Sequence, residues 1–408
     1  MEKYARWATP VVQRALKNRR VLIISGARQV GKSTLTKQAI IEDATFRTLD
    51  STKLLNVAFD DPTGFLTHNE KTLVIDEIQK APHLLPEIKI VVDNNNSPGQ
   101  FVLTGSADVM ALPEVKESLA GRVKNLKLRG LTQGEIEAKQ PNFVEKVLKK
   151  DLSSQIRGFS KKDVLQRALR GGYPEAIIKS EKERREWYKD YVISLLTHDL
   201  KDISNIKRHD ELKKVLYTLS AWSSKYMDIS GICSKCGLSK PTLNEYMGLI
   251  EKLYLCERVY PWTKSDYDRV GRTEKIFITD TGLMSSVLDW NYESTNLDAD
   301  RYGKLIETFV FNELSAQVDL DIDLSLNHYR DREGREIDFI IENNQGDIIG
   351  VEVKGGSNIN KDDFKHLKWF KENLAKDKRF IGIVLYSSED TLPFGEDMLA
   401  VPTAALWS

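Results

Sequence analysis

The chain has 408 residues, of which 41% are hydrophobic and 29% are charged, and its 60 basic residues balance its 60 acidic ones. This length predicts roughly two to four globular domains, and zero net charge argues against a surface coated with phosphate-binding residues. Three cysteines, no signal-peptide core and no apolar run of the ~20 residues that span a membrane predict a cytoplasmic protein without membrane contact.

The first motif is a nucleotide-binding loop. The stretch "RVLIISGARQVGKST" runs from an apolar strand into the pattern G-x-x-x-x-G-K-S and then into a helix-forming segment. In such a loop the backbone N–H groups surround the phosphates, the lysine reaches the β- and γ-phosphates, and the hydroxyl after it ligates Mg²⁺. The residues predicted to bind ATP are Gly26, Ala27, Arg28, Gln29, Val30, Gly31, Lys32, Ser33 and Thr34.

Two later strands are predicted to end beside this loop. The stretch "TLVIDEIQ" ends in Asp76 and Glu77, at the strand edge where P-loop enzymes hold their metal. We expect Asp76 to lie with Ser33 on the Mg²⁺ side and Glu77 to orient and polarise the attacking water, although Glu77 could also be a plain acid at a helix start. The stretch "QFVLTGSA" ends in small polar residues, of which Thr104 or Ser106 could contact the γ-phosphate, with Ser106 favoured.

Arg122 is a candidate for stabilising the transition state. In "ESLAGRVKNLKL" it follows a helix-like segment and precedes a strand. An arginine in this position can neutralise charge that develops on a transferred phosphoryl group, often across a subunit boundary. The alternative is an ordinary surface salt bridge.

These motifs resemble those of bacterial and archaeal AAA-type ATPases, which carry a G-x-R-Q-V-G-K-[ST]-T loop, a D-E-[IV]-Q strand and an L-x-G-R segment. They stand here as "GARQVGKST", "DEIQKAP" and "SLAGRV", and the resemblance continues to the C-terminus. With the element pattern described below, it implies an α/β fold whose regions are a P-loop ATPase core at 1–145, a helical lid at 146–210, a winged helix with connector at 211–295 and a nuclease-like domain at 296–408. The expected assembly is a homo-oligomer, with a hexamer-type ring as one form.

The sequence pattern after the predicted lid is typical of a winged helix-turn-helix. The stretches "ELKKVLYTLSAW", "DISGICSKC" and "GLSKPTLNEYMGLIEKL" predict three helices, and the strand-like "YLCERVYPW" follows them. The third helix of such a unit can enter a DNA major groove, and packing against protein is the alternative because Glu245 and Glu251 dilute its positive charge. Farther on, Asp280 is expected to cap a helix. The residues predicted to face DNA are Lys240, Asn244 and Lys252.

The C-terminal region predicts a metal-dependent nuclease fold. A helix, three strands, a helix and a strand follow one another, which is the αβββαβ core of PD-(D/E)XK nucleases. Asp338 and Glu352 would converge on one Mg²⁺ ion, and Glu307 from the first helix would complete the site. Lys354 would position the nucleophile or offset phosphate charge, while a domain that keeps such a pocket could also serve only to bind.

Two functions compete on these features. The first is an oligomeric ATPase that binds, and through its C-terminal domain cleaves, branched or otherwise structured DNA. The second is a nucleotide-gated binding or signalling module whose C-terminal domain is catalytically inert, which the neutral overall charge favours.

Overall fold

The structure is a computed structural model that describes residues 4–40, 43–106, 119–199, 209–264 and 273–408. The strands of these ranges form a five-stranded, a six-stranded and a two-stranded sheet. Within the same ranges, the helices are too short or too polar to cross a membrane.

The N-terminal sheet consists of five parallel strands, β1 Val21–Ser25, β2 Ala44–Thr48, β3 Thr72–Asp76, β4 Phe101–Gly105 and β5 Val123–Lys127. Their order across the sheet is β2–β3–β4–β1–β5. Strands β1 and β4 are buried along their whole length, as expected at the centre of a parallel sheet that is covered on both faces. The helices of this region are α1 Thr9–Asn18, α2 Lys32–Ala39, α3 Thr52–Asp60, α4 Pro62–Leu66, α5 Leu84–Asn94 and α6 Gln133–Ile136.

Parallel pairing brings the carboxyl ends of these strands to one edge of the sheet. Ser25 lies opposite Gly105 on one side and Lys127 on the other, and Thr48 lies opposite Asp76. The segments that leave β1, β3 and β4 therefore meet at this edge, which is where open α/β sheets bind their ligands. The expected α/β fold is confirmed for this part of the chain.

The segment predicted to be a lid contains helices α7 Phe143–Lys149, α8 Lys161–Arg170 and α9 Glu181–Ser194. Ser160 and Ser180 start α8 and α9 with capping boxes, in which each serine side chain accepts a backbone N–H from the first turn of its helix.

Three helices and a two-stranded antiparallel sheet follow, with the bounds α10 His209–Trp222, α11 Ile229–Cys236, α12 Lys240–Lys252, β6 Cys256–Val259 and β7 Lys275–Ile278. Gly237 has a φ of 67° and turns the chain between α11 and α12, which Ser239 caps through the N–H of Thr242. Asp280 caps the next helix, α13 Thr281–Val287, as expected, because its Oδ1 accepts the N–H of Leu283 at 2.7 Å.

The C-terminal unit is built on a mixed six-stranded sheet. Its elements are α14 Tyr292–Asn296, α15 Ala299–Val318, β8 Leu324–Arg330, β9 Glu336–Asn343, β10 Ile348–Val353, α16 Lys365–Asn373, β11 Phe380–Tyr386, β12 Leu392–Pro393 and β13 Met398–Pro402. The strand order is β12–β13–β11–β10–β9–β8, with β8, β9 and β10 antiparallel and β10 parallel to β11. From α15 to β11 the chain therefore runs helix, three strands, helix and strand, in the predicted order.

The predicted domain boundaries lie within helices of the structure. The breaks at 145/146, 210/211 and 295/296 fall inside α7, α10 and α14. Asn142 and Asn291 directly precede α7 and α14, so these helices begin three and four residues before the predicted breaks.

Arg129, just after β5, joins three of these units. Its side chain is 8% exposed, and its guanidinium pairs with Asp319 at 2.7 Å and with Glu257 at 2.8 Å. Lys127 also contacts Glu257, at 2.6 Å. Burial works against the charge of Glu257, but Arg129 and Lys127 outweigh it and lower the pKa of Glu257 to about 2. The N-terminal sheet is thereby fixed to β6 and to the end of α15.

Candidate functional site

The phosphate loop leaves β1 at Ser25 and enters α2 at Lys32, and its shape depends on its glycines. Gly26 has a φ of 149° and Gly31 a φ of 98°, both in the region that favours glycine. A Cβ added to Gly26 would lie 2.2 Å from the carbonyl oxygen of Leu128, so no other residue fits there.

The lysine of the motif is held inside this loop. Lys32 is 5% exposed, and its Nζ donates hydrogen bonds to the carbonyl oxygens of Gly26 at 3.0 Å and Ala27 at 2.9 Å. These two bonds keep the ammonium within the concave side of the loop, from which it can turn to a phosphate.

A hydroxyl and a carboxylate stand together next to the loop. The Oγ of Ser33 donates to Oδ2 of Asp76 at 3.0 Å, and the hydroxyl of the buried Thr104 donates to the other oxygen of Asp76. Hard oxygen ligands of this kind suit Mg²⁺, which commonly takes one or two protein ligands beside substrate phosphates. Ser33 and Asp76 therefore fit the predicted metal of a bound nucleotide.

Glu77 lies at the same edge, in a small polar network. Its backbone is left-handed, with a φ of 61°, and its carboxylate accepts the amide of Gln79 and the backbone N–H of Ser106, the latter at 3.4 Å. The Gln79 amide also donates to Oγ of Ser106 at 3.2 Å. Both candidates at the end of β4 therefore face the site, Thr104 through Asp76 and Ser106 through Gln79. Gln79 belongs to the DEIQ motif, but its place in this network could not be predicted from the motif alone.

Arg6 is a second residue at this site that was not predicted from the sequence. Its buried guanidinium donates to the carbonyl oxygens of Val30 at 2.8 Å and Arg129 at 2.7 Å and pairs with Glu135 at 3.0 Å. The N-terminal segment thus braces the phosphate loop from behind. A single arginine outside any motif gives no signal of such a role.

Arg122 lies at the opposite edge of the sheet from its own phosphate loop. Strands β1 and β5 run parallel with Val21 opposite Val123, so Arg122 stands at their amino ends, about 13 Å of strand away from the loop. Its guanidinium makes two bonds to Asp93, at 2.5 and 2.9 Å. In this arrangement the guanidinium of Arg122 is bonded to Asp93 and not to the phosphate loop of its own chain.

The C-terminal acids predicted to form a metal site do come together, around a lysine. Phe339 pairs with Val351 across β9 and β10, and the same register places Asp338 opposite Glu352. Between Asp338 and Glu307 of α15 stands the Nζ of Lys275, at 3.0 and 2.8 Å from their carboxylates. Lys275 is 2% exposed and comes from β7, in the preceding unit.

The ionisable groups of this cluster shift one another's pKa values. Burial works against the ammonium of Lys275, but Glu307 and Asp338 outweigh it and raise the pKa of Lys275 well above its usual value. Burial also opposes ionisation of Asp338, yet Lys275 and the N–H of Val353 hold the pKa of Asp338 below its usual range. Burial and the charge of Asp338 raise the pKa of Glu307 to about 7, and the same causes raise the pKa of Glu352.

Lys275 thus occupies part of the predicted magnesium site of this domain. Two of its three acids, Glu307 and Asp338, pair with the ammonium of Lys275. In the part of the chain that the structure describes, no group of three acidic, histidine or cysteine side chains is arranged to hold a metal. Lys354 lies at the margin, 40% exposed and 4.0 Å from Glu352 and 3.9 Å from Asp363.

The residues predicted to face DNA are exposed on α12 but do not share one face. Lys240 and Asn244 lie one turn apart at the start of the helix, whereas Lys252 is its last residue. Helical geometry places Lys252 about 120° around the axis and about 18 Å along it from Lys240. The Nζ of Lys214 lies beside the turn before α12, 3.9 Å from where a Cβ of Gly237 would be.

Family models match three separate parts of the chain. Residues 18–137 match the model described as "AAA domain". Residues 161–294 and 302–406 match two models described as domains of unknown function, DUF8612 and DUF4143. The first match spans the parallel sheet and the phosphate loop.

Similar proteins come from bacteria and archaea. An uncharacterized protein of Mycobacterium tuberculosis is 25% identical over 397 residues, which cover 96% of this chain and 82% of that protein. An uncharacterized protein of Methanocaldococcus jannaschii is 23% identical over 324 residues, with coverage of 71% and 66%. A solved Walker-type ATPase of Pyrococcus abyssi aligns with 68% of this chain and 94% of its own, with a TM-score of 0.44 and 14% identity. The AAA-domain match, together with the loop geometry, supports an AAA-type ATPase domain in the N-terminal region.

Proposed function

We propose that this protein hydrolyses ATP and couples hydrolysis to DNA binding in a homo-oligomer. The observation that carries the ATPase activity is the meeting of Lys32, Ser33, Asp76 and Glu77 at one edge of the parallel sheet. These are the groups that phosphoryl transfer needs for charge neutralisation, metal binding and orientation of water.

Each of these side chains has a distinct task. Lys32 would exchange its bonds to loop carbonyls for bonds to the β- and γ-phosphates, while Ser33 and Asp76 would hold Mg²⁺. The bound metal neutralises phosphate charge and orients the leaving group. Glu77 would orient the attacking water after its carboxylate turns away from Gln79.

Release of inorganic phosphate by three variants tests the ATPase proposal. Lys32→Ala should abolish hydrolysis, and Glu77→Gln should lower it by ~10²–10⁴-fold while leaving nucleotide binding intact, because only the water loses its base. The matched control is Lys37→Ala, an exposed lysine on the same helix, which should hydrolyse ATP normally. Wild-type turnover by Lys32→Ala would contradict the proposal.

The proposed DNA contact is the start of α12. The exposed Lys240 and Asn244 stand on one face there, and Lys214 lies beside the preceding turn, which is the position of the recognition helix in winged helix-turn-helix units. Cations at such a surface bind phosphates, and an amide can read a base edge.

Fluorescence anisotropy with labelled linear, forked and four-way DNA at low salt tests this contact with and without an ATP analogue. The double variant Lys240→Ala/Asn244→Ala should bind more weakly, and Lys252→Ala serves as its matched control because it stands on another side of the helix. Absence of binding by the wild-type chain to all three DNAs would exclude the DNA role.

The ion pairs of Lys275 favour a second candidate for the C-terminal domain, namely binding without cleavage. Two of the three carboxylates that would hold a catalytic metal are already paired with an ammonium. The protein would then be a nucleotide-gated binding module, and the same four-way DNA should remain uncut in the presence of Mg²⁺ and ATP.

A further inference from the structure

The cluster of Glu307, Asp338, Glu352 and Lys275, here called the lysine-centred cluster, is assembled from two units of the chain. Three elements of the C-terminal unit supply the acids, and β7 of the preceding unit supplies the lysine. Its Nζ bonds two of the acids at 2.8 and 3.0 Å. A cation bonded by carboxylates from a helix and a strand occupies the same kind of position as a metal between its ligands.

Both carboxylate oxygens of Asp338 are engaged in this arrangement. Oδ1 accepts from Lys275, and Oδ2 accepts the backbone N–H of Val353 at 3.0 Å. A divalent cation would have to displace the ammonium and bury it elsewhere without its partners, which is strongly unfavourable for a side chain that is 2% exposed.

The strand that carries Lys275 is pinned on both sides. The backbone N–H of Met227 bonds the carbonyl oxygen of Glu274 at 2.8 Å, and the N–H of Ser224 bonds that of Ile276 at 2.7 Å. The Oγ of Ser223 accepts the N–H of Ile278 at 3.0 Å and also contacts Thr308 of α15 at 2.8 Å. The backbone that carries Lys275 is therefore anchored beside the cluster.

We propose that the ammonium of Lys275 permanently takes the place of a divalent cation in this pocket. The wild-type chain then binds no metal at these acids, and without the ammonium Glu307, Asp338 and Glu352 can close on a divalent cation. The inference rests on the proposed binding role of the C-terminal domain and is independent of ATP hydrolysis.

Manganese binding to the full chain without nucleotide tests the inference, by calorimetry and by the loss of the free Mn²⁺ signal in electron paramagnetic resonance. Lys275→Met keeps the length of the side chain and should gain one bound Mn²⁺ per chain relative to wild type. Lys275→Arg keeps the charge and should gain none. Adding Glu352→Gln to Lys275→Met should remove the gained ion, since it deletes a ligand but leaves the partners of Lys275 unchanged.

Two results would overturn the inference. One is Mn²⁺ binding by the wild-type chain that Glu352→Gln abolishes, and the other is a folded Lys275→Met variant that gains no ion. Circular dichroism and the thermal midpoint establish folding, and if Lys275→Met does not fold, the wild-type comparison with Glu352→Gln still decides. Because nucleotide is absent, failure here is distinguishable from failure of the ATPase proposal.

Discussion

Glu313 is a buried acid that the proposed chemistry does not use. It lies on α15 and is 3% exposed, and its two oxygens lie 3.0 and 3.2 Å from the backbone nitrogen of Gln133, whose N–H they accept. Burial raises the pKa of Glu313 to about 8, from the usual 4.5 of a solvated glutamate. Between these two values the folded state holds a proton that the unfolded state has released, so the stability of the fold falls as pH rises through this window.

We expect Glu313→Gln to remove this pH dependence. A glutamine can still accept the N–H of Gln133 but never ionises, so the variant should be more stable than wild type near pH 8, and the difference should shrink toward pH 4.5. Thermal unfolding at a series of pH values measures the effect. Glu186→Gln, which changes an exposed acid, is the control, and parallel wild-type and Glu313→Gln curves would refute the prediction.

The element that decides how Arg122 acts is β5. Because the strand is parallel to β1, the residue before it and the loop after β1 lie at opposite edges of the sheet. An arginine there cannot act on its own nucleotide, whereas in a ring the amino edge of one subunit can face the carboxyl edge of the next. A catalytic role for Arg122 therefore requires an oligomer.

Mixed oligomers test this role. Arg122→Ala should lower ATP hydrolysis on the order of 10³-fold, and mixing it with inactive Lys32→Ala subunits should restore part of the activity, because some interfaces then combine an intact loop with an intact arginine. Asp93→Ala is the control, since it breaks the same ion pair without removing the arginine. No recovery in a stable mixed oligomer would leave Arg122 with a structural role only.

The parts of the site whose residues are close together in the sequence could be predicted from the sequence. The phosphate loop is one such part. A single stretch contains its strand, its glycines, its lysine and its hydroxyl, so their spacing already defines the geometry of the loop. The ends of β3 and β4 could be placed beside the loop because parallel strands share an edge. Lys275 could not be found in this way, since its partner Asp338 is 63 residues away and it belongs to an otherwise apolar strand. Arg6 could not be found either, because Val30, whose carbonyl oxygen it bonds, lies 24 residues away in the sequence.

At the scale of the whole molecule, Arg129 connects the N-terminal parallel sheet with the unit that contains β6 and with the C-terminal unit. Its guanidinium bonds Glu257 of β6 and Asp319 at the end of α15, while its carbonyl oxygen accepts from Arg6, which also holds Val30. One residue thus links the phosphate loop with the regions proposed to bind DNA.

We expect Arg129→Met to destabilise the fold by ~2–3 kcal/mol, less than the ~3–5 kcal/mol of a fully buried pair because both acids are partly exposed. Urea unfolding, followed by tryptophan fluorescence, measures the loss. Lys149→Met, which removes an exposed i,i+4 pair, is the matched control and should cost only ~0–0.5 kcal/mol. Equal midpoints for the two variants would show that Arg129 contributes no more than a surface charge.

The position of Lys275 also limits what a dissected protein can reveal. A fragment that begins at α15 would keep Glu307, Asp338 and Glu352 but lose the ammonium that neutralises two of them. Such a fragment would be short of one positive charge and would recruit metal ions from the buffer that the intact chain excludes. Metal binding by the isolated C-terminal fragment would then result from the loss of Lys275 and would not be a property of the intact protein.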